Sequence, residues 1–317
     1  MPLRSSRSCA RSEDCIGRRI LQRTLAITSN QFRLFIAASK STNARQTGQG
    51  LAVLIMLRAL SGYDLSGPRF DEADRIHLLA EVTKAAYGLR DAYLCDPEHH
   101  PLKVTDFLSE GQEQRLLRSI RPDLALPATA RSEIDHKDTV YLAVVDRDRN
   151  AVSFINSLFS SFGSGLYAAK SGVLLHNRGH SFRVCPGHPN AIAPGKRPMH
   201  TIIPAMMLKK GRAVMPFGVT GGDYQAAGQV HFLSQILDRG LDPQEAAEVP
   251  RFFAYGGVLQ LEKTIPDDIA TELARRGHEV QRRAEPLGGC QAVWIDHSGG
   301  FLMGASDPRK DGIALGY

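Results

Sequence analysis

The sequence predicts an α+β domain with its sheets inside, and three observations carry that reading. Up to about residue 120, apolar residues recur at helical spacing. From Thr139 onward the pattern alternates like half-buried strands, broken by Gly-, Pro- and Asn-containing turns. After Gly222 helical signals return, separated by short apolar runs. Helices, then strands, then helices, with the strands concentrated centrally, indicate layers packed around an internal sheet. At 317 residues and 43% hydrophobic content, the chain can build one large or two ordinary cores.

The elements follow in order. Composition changes at Gly48-Gln49-Gly50, and Leu51 to Leu60 reads as a buried helix closed by Gly62. Asp71 is placed to cap a long helix in which Ile76, Leu79, Ala80, Thr83, Ala86 and Tyr87 share a face. Ser109-Glu110-Gly111-Gln112 resembles a capping box opening a third helix through Leu116, Leu117 and Ile120. Arg121 to Asp138, with Pro122 and Pro127, has little periodicity and is expected to be an exposed, mobile loop. Strands are expected at Tyr141–Val145 and Ala151–Ser157, joined by a charged turn over Asp146 to Asn150, and at Gly172–Leu175, Thr201–Leu208 and Val214–Val219. A helix from about Gln225 to Leu237 comes next. Asp242-Pro243 then supplies an N-cap with proline at the first helical position, opening a short helix to Glu248. Pro266 to Arg276 is a further helix, stopped by Gly277. Gln291–Ile295 and Phe301–Gly304 close the chain as a hairpin.

Composition rules several function classes out. The net charge of +6 is unevenly spread. Residues 1–45 hold nine Lys/Arg against Glu13 and Asp14, a net of +7, so the remainder stands at −1. A neutral body argues against a nucleic-acid surface. Residues 1–47 are therefore read as a basic, disordered appendage. The longest apolar run, Leu51 to Leu60, is interrupted by Arg58 and too short to span a bilayer. No signal-peptide pattern is visible, which favours a cytoplasmic location. Five scattered cysteines without CxxC or Cys/His spacing indicate free thiols, with no metal site and no disulfide framework.

Catalytic motifs are mostly absent: there is no GxSxG elbow, P-loop or GxGxxG after a strand. One junction suits a different chemistry. In His136-Lys137-Asp138-Thr139-Val140-Tyr141-Leu142-Ala143-Val144-Val145-Asp146 a polar loop runs into a strand whose first residue is a threonine. A threonine hydroxyl is a weak nucleophile without a neighbouring base. Cleavage of the bond before Thr139 would free its α-amino group, whose reference pKa of about 8 suits that task near neutral pH. The same hydroxyl can make the cut by attacking the Asp138 carbonyl to give an ester that water opens. Backbone N–H groups at Gly221-Gly222, a glycine turn after a strand, are candidate donors to the oxyanion. A threonine starting a strand is otherwise an ordinary β-branched residue with good strand propensity.

From about Gly48 to Tyr317 the chain resembles the γ-glutamyltransferase (γ-glutamyltranspeptidase) family of N-terminal-nucleophile hydrolases. The matching stretches are Gly48-Gln49-Gly50-Leu51-Ala52, Asp74-Arg75-Ile76-His77 with Arg90-Asp91 and Asp96-Pro97, and Asp138-Thr139-Val140-Tyr141 through Asp146. Phe162-Gly163-Ser164-Gly165, Pro194-Gly195-Lys196-Arg197-Pro198, Thr220-Gly221-Gly222, Asp242-Pro243-Gln244-Glu245-Ala246 and Ala305-Ser306-Asp307-Pro308-Arg309 follow in order. The resemblance implies a four-layer αββα sandwich and a chain cut into a helical large-subunit part, 48–138, and a small catalytic subunit, 139–317, that stay associated. It makes Thr139 the nucleophile, Gly221 and Gly222 the oxyanion glycines, and Ser157 the hydroxyl that assists processing. No cofactor or metal is implied. The implied partners are a small amide substrate and a water or amine acceptor, with no nucleic acid and no membrane span.

The departures from the family pattern refine this expectation. Val140-Tyr141 stands where Thr-His is usual after the nucleophile, and Phe159 where asparagine is usual. His200-Thr201 replaces a serine pair that holds the substrate carboxylate. Ser181 stands near the place of the acid that grips the substrate ammonium, and its loss weakens γ-glutamyl recognition. Asn177-Arg178-Gly179 looks more like the acylase branch, whose members favour acyl groups lacking the α-amine. Arg178, Ser181, His200 and Thr201, with Ser157, are thus the expected substrate-binding residues. Family large subunits also carry a longer region ahead of Gly48, so the resemblance implies an N-terminally truncated large subunit. The alternative expectation is an inactive fragment of the family.

Overall fold

Strand Arg212–Thr220 forms the middle of the molecule, with packing partners on both of its faces. It belongs to the six-stranded sheet of a computed structural model that describes residues 25–28, 33–36, 47–67, 70–127 and 139–317. Numbered in chain order, that sheet holds β1 (Leu25–Thr28), β2 (Arg33–Ile36), β7 (Ala205–Lys209), β8 (Arg212–Thr220), β12 (Gly289–Ile295) and β13 (Leu302–Ser306). Their spatial order is β1-β2-β7-β8-β12-β13, and every neighbouring pair is antiparallel. Lys210 and Gly211, both at positive φ, make the tight turn between β7 and β8, as a two-residue hairpin with right-handed strand twist requires.

Helices cover one face of this sheet. α1 (Gly50–Leu60) and α5 (Tyr224–Leu237) lie against it, and the long α2 (Glu72–Tyr93) packs on α1. Asp71 caps α2 in a reciprocal capping box with Asp74, and Ser109 caps α4 (Glu110–Ser119) by accepting from the Gln112 N–H; α3 (Val104–Phe107) is a single turn between them. The other face carries the hairpin of β3 (Thr139–Val145) and β4 (Ala151–Ser157). Two adjacent glycine-dependent contacts show how tightly β8 is held. A Cβ on Gly218 would meet the Tyr141 ring of β3 at 2.3 Å, while a Cβ on Gly228 of α5 would meet Val219 at 2.8 Å. Successive β8 residues thus point to opposite layers.

A smaller sheet, β9 (Phe252–Tyr255), β10 (Val258–Glu262) and β11 (Val280–Arg283), lies beside α2. β9 and β10 are antiparallel, and α7 (Asp267–Arg275) makes the crossover that brings β11 parallel to β10. Asp242 caps α6 (Pro243–Glu248) in a second reciprocal box, with Pro243 at its first turn. The terminal motif is structural: Asp307 accepts from the Cys290 N–H at 2.8 Å and pairs with buried Arg251. Arg309 pairs with Glu262 at 2.9 Å and donates to carbonyls at the end of α6. The α+β expectation holds. The described residues supply three of the four expected layers: helices, the main sheet and one hairpin of the second sheet. On the hairpin's outer side Val140, Leu142, Val144, Val152 and Phe154 are each at least half exposed.

Four expectations need correction. Residues 201–204 are extended but form no strand; pairing begins at Ala205. Their backbone is satisfied by buried glutamine side chains instead: Gln49 donates to the Thr201 carbonyl at 2.8 Å, Gln229 donates to the Ile203 carbonyl at 2.7 Å, and the Ile203 N–H donates to Gln225 at 3.1 Å. Pro204 has no N–H to offer a ladder. Within the segment expected to be a disordered appendage, residues 25–28 and 33–36 add two strands to the sheet edge. The β9–β11 sheet was not expected, because Phe252–Tyr255 is buried at every position and shows no alternation. Helix α3 also went unforeseen. Of the loop expected over 121–138, residues 128–138 lie outside the described residues.

Candidate active site

Thr139 is the first residue of β3 and pairs directly with Ser157, the last residue of β4. Its hydroxyl donates to the Ser157 Oγ at 3.1 Å, and that same oxygen accepts from the Phe159 N–H at 3.0 Å. Phe159 is buried with φ of 84°, a backbone state that bulky residues reach only under constraint. Asn177 supplies part of that constraint: its side-chain oxygen accepts from the Ser160 N–H at 3.0 Å, and its N–H donates to the Leu158 carbonyl at 3.1 Å.

The hairpin's placement sends Thr139 toward the glycine turn. Tyr141 lies on Gly218, and Ser153, opposite Ala143 in β4, donates to the Phe217 carbonyl at 3.4 Å. Moving into β3 therefore means moving back along β8. The head of β3 accordingly lies toward the Thr220–Gly222 end. There Gly221 and Gly222 have φ of 113° and 57°, and a Cβ on Gly221 would stand 2.9 Å from the Gly288 Cα. The Gly221 and Gly222 carbonyls accept from the Tyr224 and Gln225 N–H groups, at 3.0 and 3.2 Å, in the first turn of α5. Neither glycine N–H is engaged among the described residues.

Arg178 stands in a 3₁₀ turn, Arg178–Ser181, and is 3% exposed. Its guanidinium reaches the Ser157 carbonyl at 3.4 Å and the Thr201 hydroxyl at 3.5 Å, both long contacts, and lies 5.5 Å from the Phe159 ring centre. No carboxylate pairs with it among the described residues, and burial alone pulls its pKa down to about 10. His200 is pulled down to about 4, chiefly by burial and then by Arg178, His176 and Arg197; its buried Nδ1 has no hydrogen-bond partner among the described residues. Ser181 is buried, and its carbonyl accepts from Asn190 at 2.7 Å. Among the described residues the corner is thus positively polarised and carries no acid to hold an ammonium.

Thr139, Ser157, Arg178 and Thr201 therefore form one continuous chain of contacts. Gly221 and Gly222 join it through Gln49, whose side chain donates to both the Thr201 and Gly222 carbonyls at 2.8 and 2.9 Å. His200 adjoins Thr201, and Ser181 shares the 3₁₀ turn of Arg178. The role of Gln49 escaped sequence reasoning, although it stands within the distinctive Gly48-Gln49-Gly50 segment.

One other cluster has metal-ligand chemistry. His77, Glu81 and His278 are buried, with ligand atoms within 4.8 Å of one another. The two histidines bond each other at 2.8 Å, and His77 Nε2 is bonded to the Arg121 carbonyl at 2.7 Å. The Lys84 ammonium, 2.5 Å from Glu81, already holds the place a cation would take. A cavity of about 300 Å³ opens beside it, lined by Lys84, Tyr87, Leu126, Tyr255 and His278. Among the described residues no serine, threonine or cysteine lines it.

A family model described as Gamma-glutamyltranspeptidase matches residues 38–317. The glutathione hydrolase-like YwrD proenzyme of Bacillus subtilis is 36% identical over 283 residues, 86% of this chain and 53% of the relative. The oxamate amidohydrolase proenzyme of Klebsiella pneumoniae is 35% identical over 278 residues, 85% and 52% of the two chains. Among solved structures, the cephalosporin acylase from Bacillus halodurans superposes with a TM-score of 0.82 at 34% identity, covering 93% of this chain and 53% of that one. The chain spans about half the length of the curated relatives it matches.

Proposed function

Since the chain belongs to the gamma-glutamyltranspeptidase family, we propose that it is a self-processing amide hydrolase or acyltransferase whose nucleophile is Thr139. The observation that carries this reading is the Thr139 hydroxyl at the head of β3, bonded to Ser157, on a hairpin whose register along β8 runs toward the Thr220–Gly222 end. In processing, Thr139 Oγ1 attacks the Asp138 carbonyl, the peptide C–N bond breaks, and water opens the resulting ester. Asp138 itself lies outside the described residues. The division is into a segment ending at Asp138 and a small subunit, Thr139–Tyr317. The Arg90–Asp223 ion pair at 2.7 Å and the Gln49 bonds support their staying together.

In turnover, the freed α-amine takes the Thr139 hydroxyl proton as Oγ1 adds to a substrate amide carbonyl. The oxyanion accepts from Gly221 and Gly222. Collapse expels the amine with the proton, leaving an acyl ester on Thr139, and water or an acceptor amine then discharges it. Arg178, with His200 and Thr201, would receive an acid group on the acyl chain. A buried guanidinium with no carboxylate partner among the described residues disfavours an ammonium beside it and favours an anion. This supports an acylase-type acyl group over γ-glutamyl, with Ser181 supplying no charge. Hydrolysis of γ-glutamyl, glutaryl and oxamate amides by the purified full chain tests the reading. Amine release by the wild type and none by Thr139→Ala is expected; equal release by the two would overturn it.

A further inference from the structure

We propose that Gln49 is a positioning residue for the oxyanion turn, held in that role by Arg90. The inference rests on the reading of Gly221 and Gly222 as oxyanion donors. A turn of two consecutive glycines at positive φ has little conformational preference of its own, yet an oxyanion site works only if its donors are fixed before charge develops. Something outside the turn must therefore fix it.

The Gln49 side chain is fully buried, and its amide is oriented without ambiguity. Arg90 Nη1 donates to Gln49 Oε1 at 2.7 Å, so the amide NH₂ must face the two carbonyls it bonds, those of Gly222 and Thr201. The same Arg90 nitrogen donates to the Asp223 carboxylate at 2.7 Å, the residue immediately after the glycine pair. Tyr87 adds a bond from its hydroxyl to the Asp223 carbonyl at 2.5 Å. Gln49 is itself anchored, its N–H donating to the His200 carbonyl at 2.9 Å and its successor opening α1. One amide group thus spans the oxyanion turn and the Thr201 edge of the acyl pocket. It comes from the segment ahead of the Asp138-Thr139 bond, so a residue of one processed part would set donor geometry in the other.

Gln49→Met, of similar length and without donors, tests this in the full chain, with whichever amide the wild type hydrolyses as substrate. The expected result is a kcat lowered about ten- to a hundredfold with KM within about threefold. Inhibition by an alkyl boronic acid, whose tetrahedral adduct on Thr139 needs the oxyanion donors, should weaken by a similar factor as kcat. Gln49→Glu keeps the Arg90 contact but loses both donors and should show the same split; it serves if the methionine variant does not fold. Wild-type kcat and boronate affinity in a folded variant, or a loss confined to KM, would overturn the proposal while leaving the function intact. A wild type that hydrolyses no amide would sink the function itself, and this inference with it.

Discussion

In the proposed function Thr139 and Arg178 divide the chemistry between them. Thr139 heads a strand whose register puts it opposite Ser157, and Arg178 lines the same corner with no acid to neutralise it among the described residues. Hydrogen bonds to charged groups contribute about 1.5–3 kcal/mol. Arg178→Met should therefore raise KM about ten- to a hundredfold for monoamides of dicarboxylic acids, and change KM little for acyl groups lacking the acid. Steady-state kinetics on a matched pair of amides checks this, and an equal rise for both would count against a carboxylate subsite. The positions of Thr139 at the head of a strand and of Gly221-Gly222 between a strand and a helix were legible in the sequence, from a polar loop running into an alternating strand and from a glycine pair after an apolar run. Gln49 was not, because its partner Gly222 lies 173 residues away and a buried glutamine has no sequence signature of its own.

The decisive element contact is β3 on β8. The Tyr141 ring lies against Gly218, and the Tyr141 hydroxyl shares a 2.7 Å bond with Ser153. Gly218→Ala puts a methyl into that ring, and overpacking of this kind costs about 1–3 kcal/mol. Phe154→Ser, on the half-exposed outer side of the hairpin, should stay within about 1 kcal/mol. Denaturant unfolding of the two variants separates them; equal losses would mean that the hairpin does not pack as described. The capped helices were legible, since Asp71 and Asp242 are local signals. The Phe252–Glu262 hairpin was only half so. Gly256-Gly257 marks its turn, but both strands are buried on both faces and lack the alternation that usually betrays a strand. Residues 201–204 failed in the opposite sense, being strand-like in composition yet satisfied by glutamine side chains.

At the scale of the molecule, burial leaves several histidines neutral. His231 and His278 are pulled down to about 3 and His200 to about 4, in each case mainly by burial. The unfolded chain takes up these protons first, near the ordinary imidazole value of 6.5. The stability they contribute is complete above that pH and is lost as pH falls toward 4 for His200 and toward 3 for His231 and His278. Asp238, pushed up to about 6 by burial, acts in the opposite direction, losing its contribution as pH rises from 3.8 to 6, and so offsets part of the slope. Tm should therefore drop on acidification from pH 7 to 5, and His231→Met should flatten that drop; an unchanged slope would refute the assignment. The layered α+β class was legible from the order of helical and alternating patterns, whereas the way one face of the hairpin stays open was not. The account depends above all on Thr139 becoming an N-terminus. Intact-mass analysis of the purified chain, beside Thr139→Ala, tests that directly. A wild-type fragment beginning at Thr139, absent from the variant, is predicted; only full-length chain in both, or the same fragment in both, would contradict it.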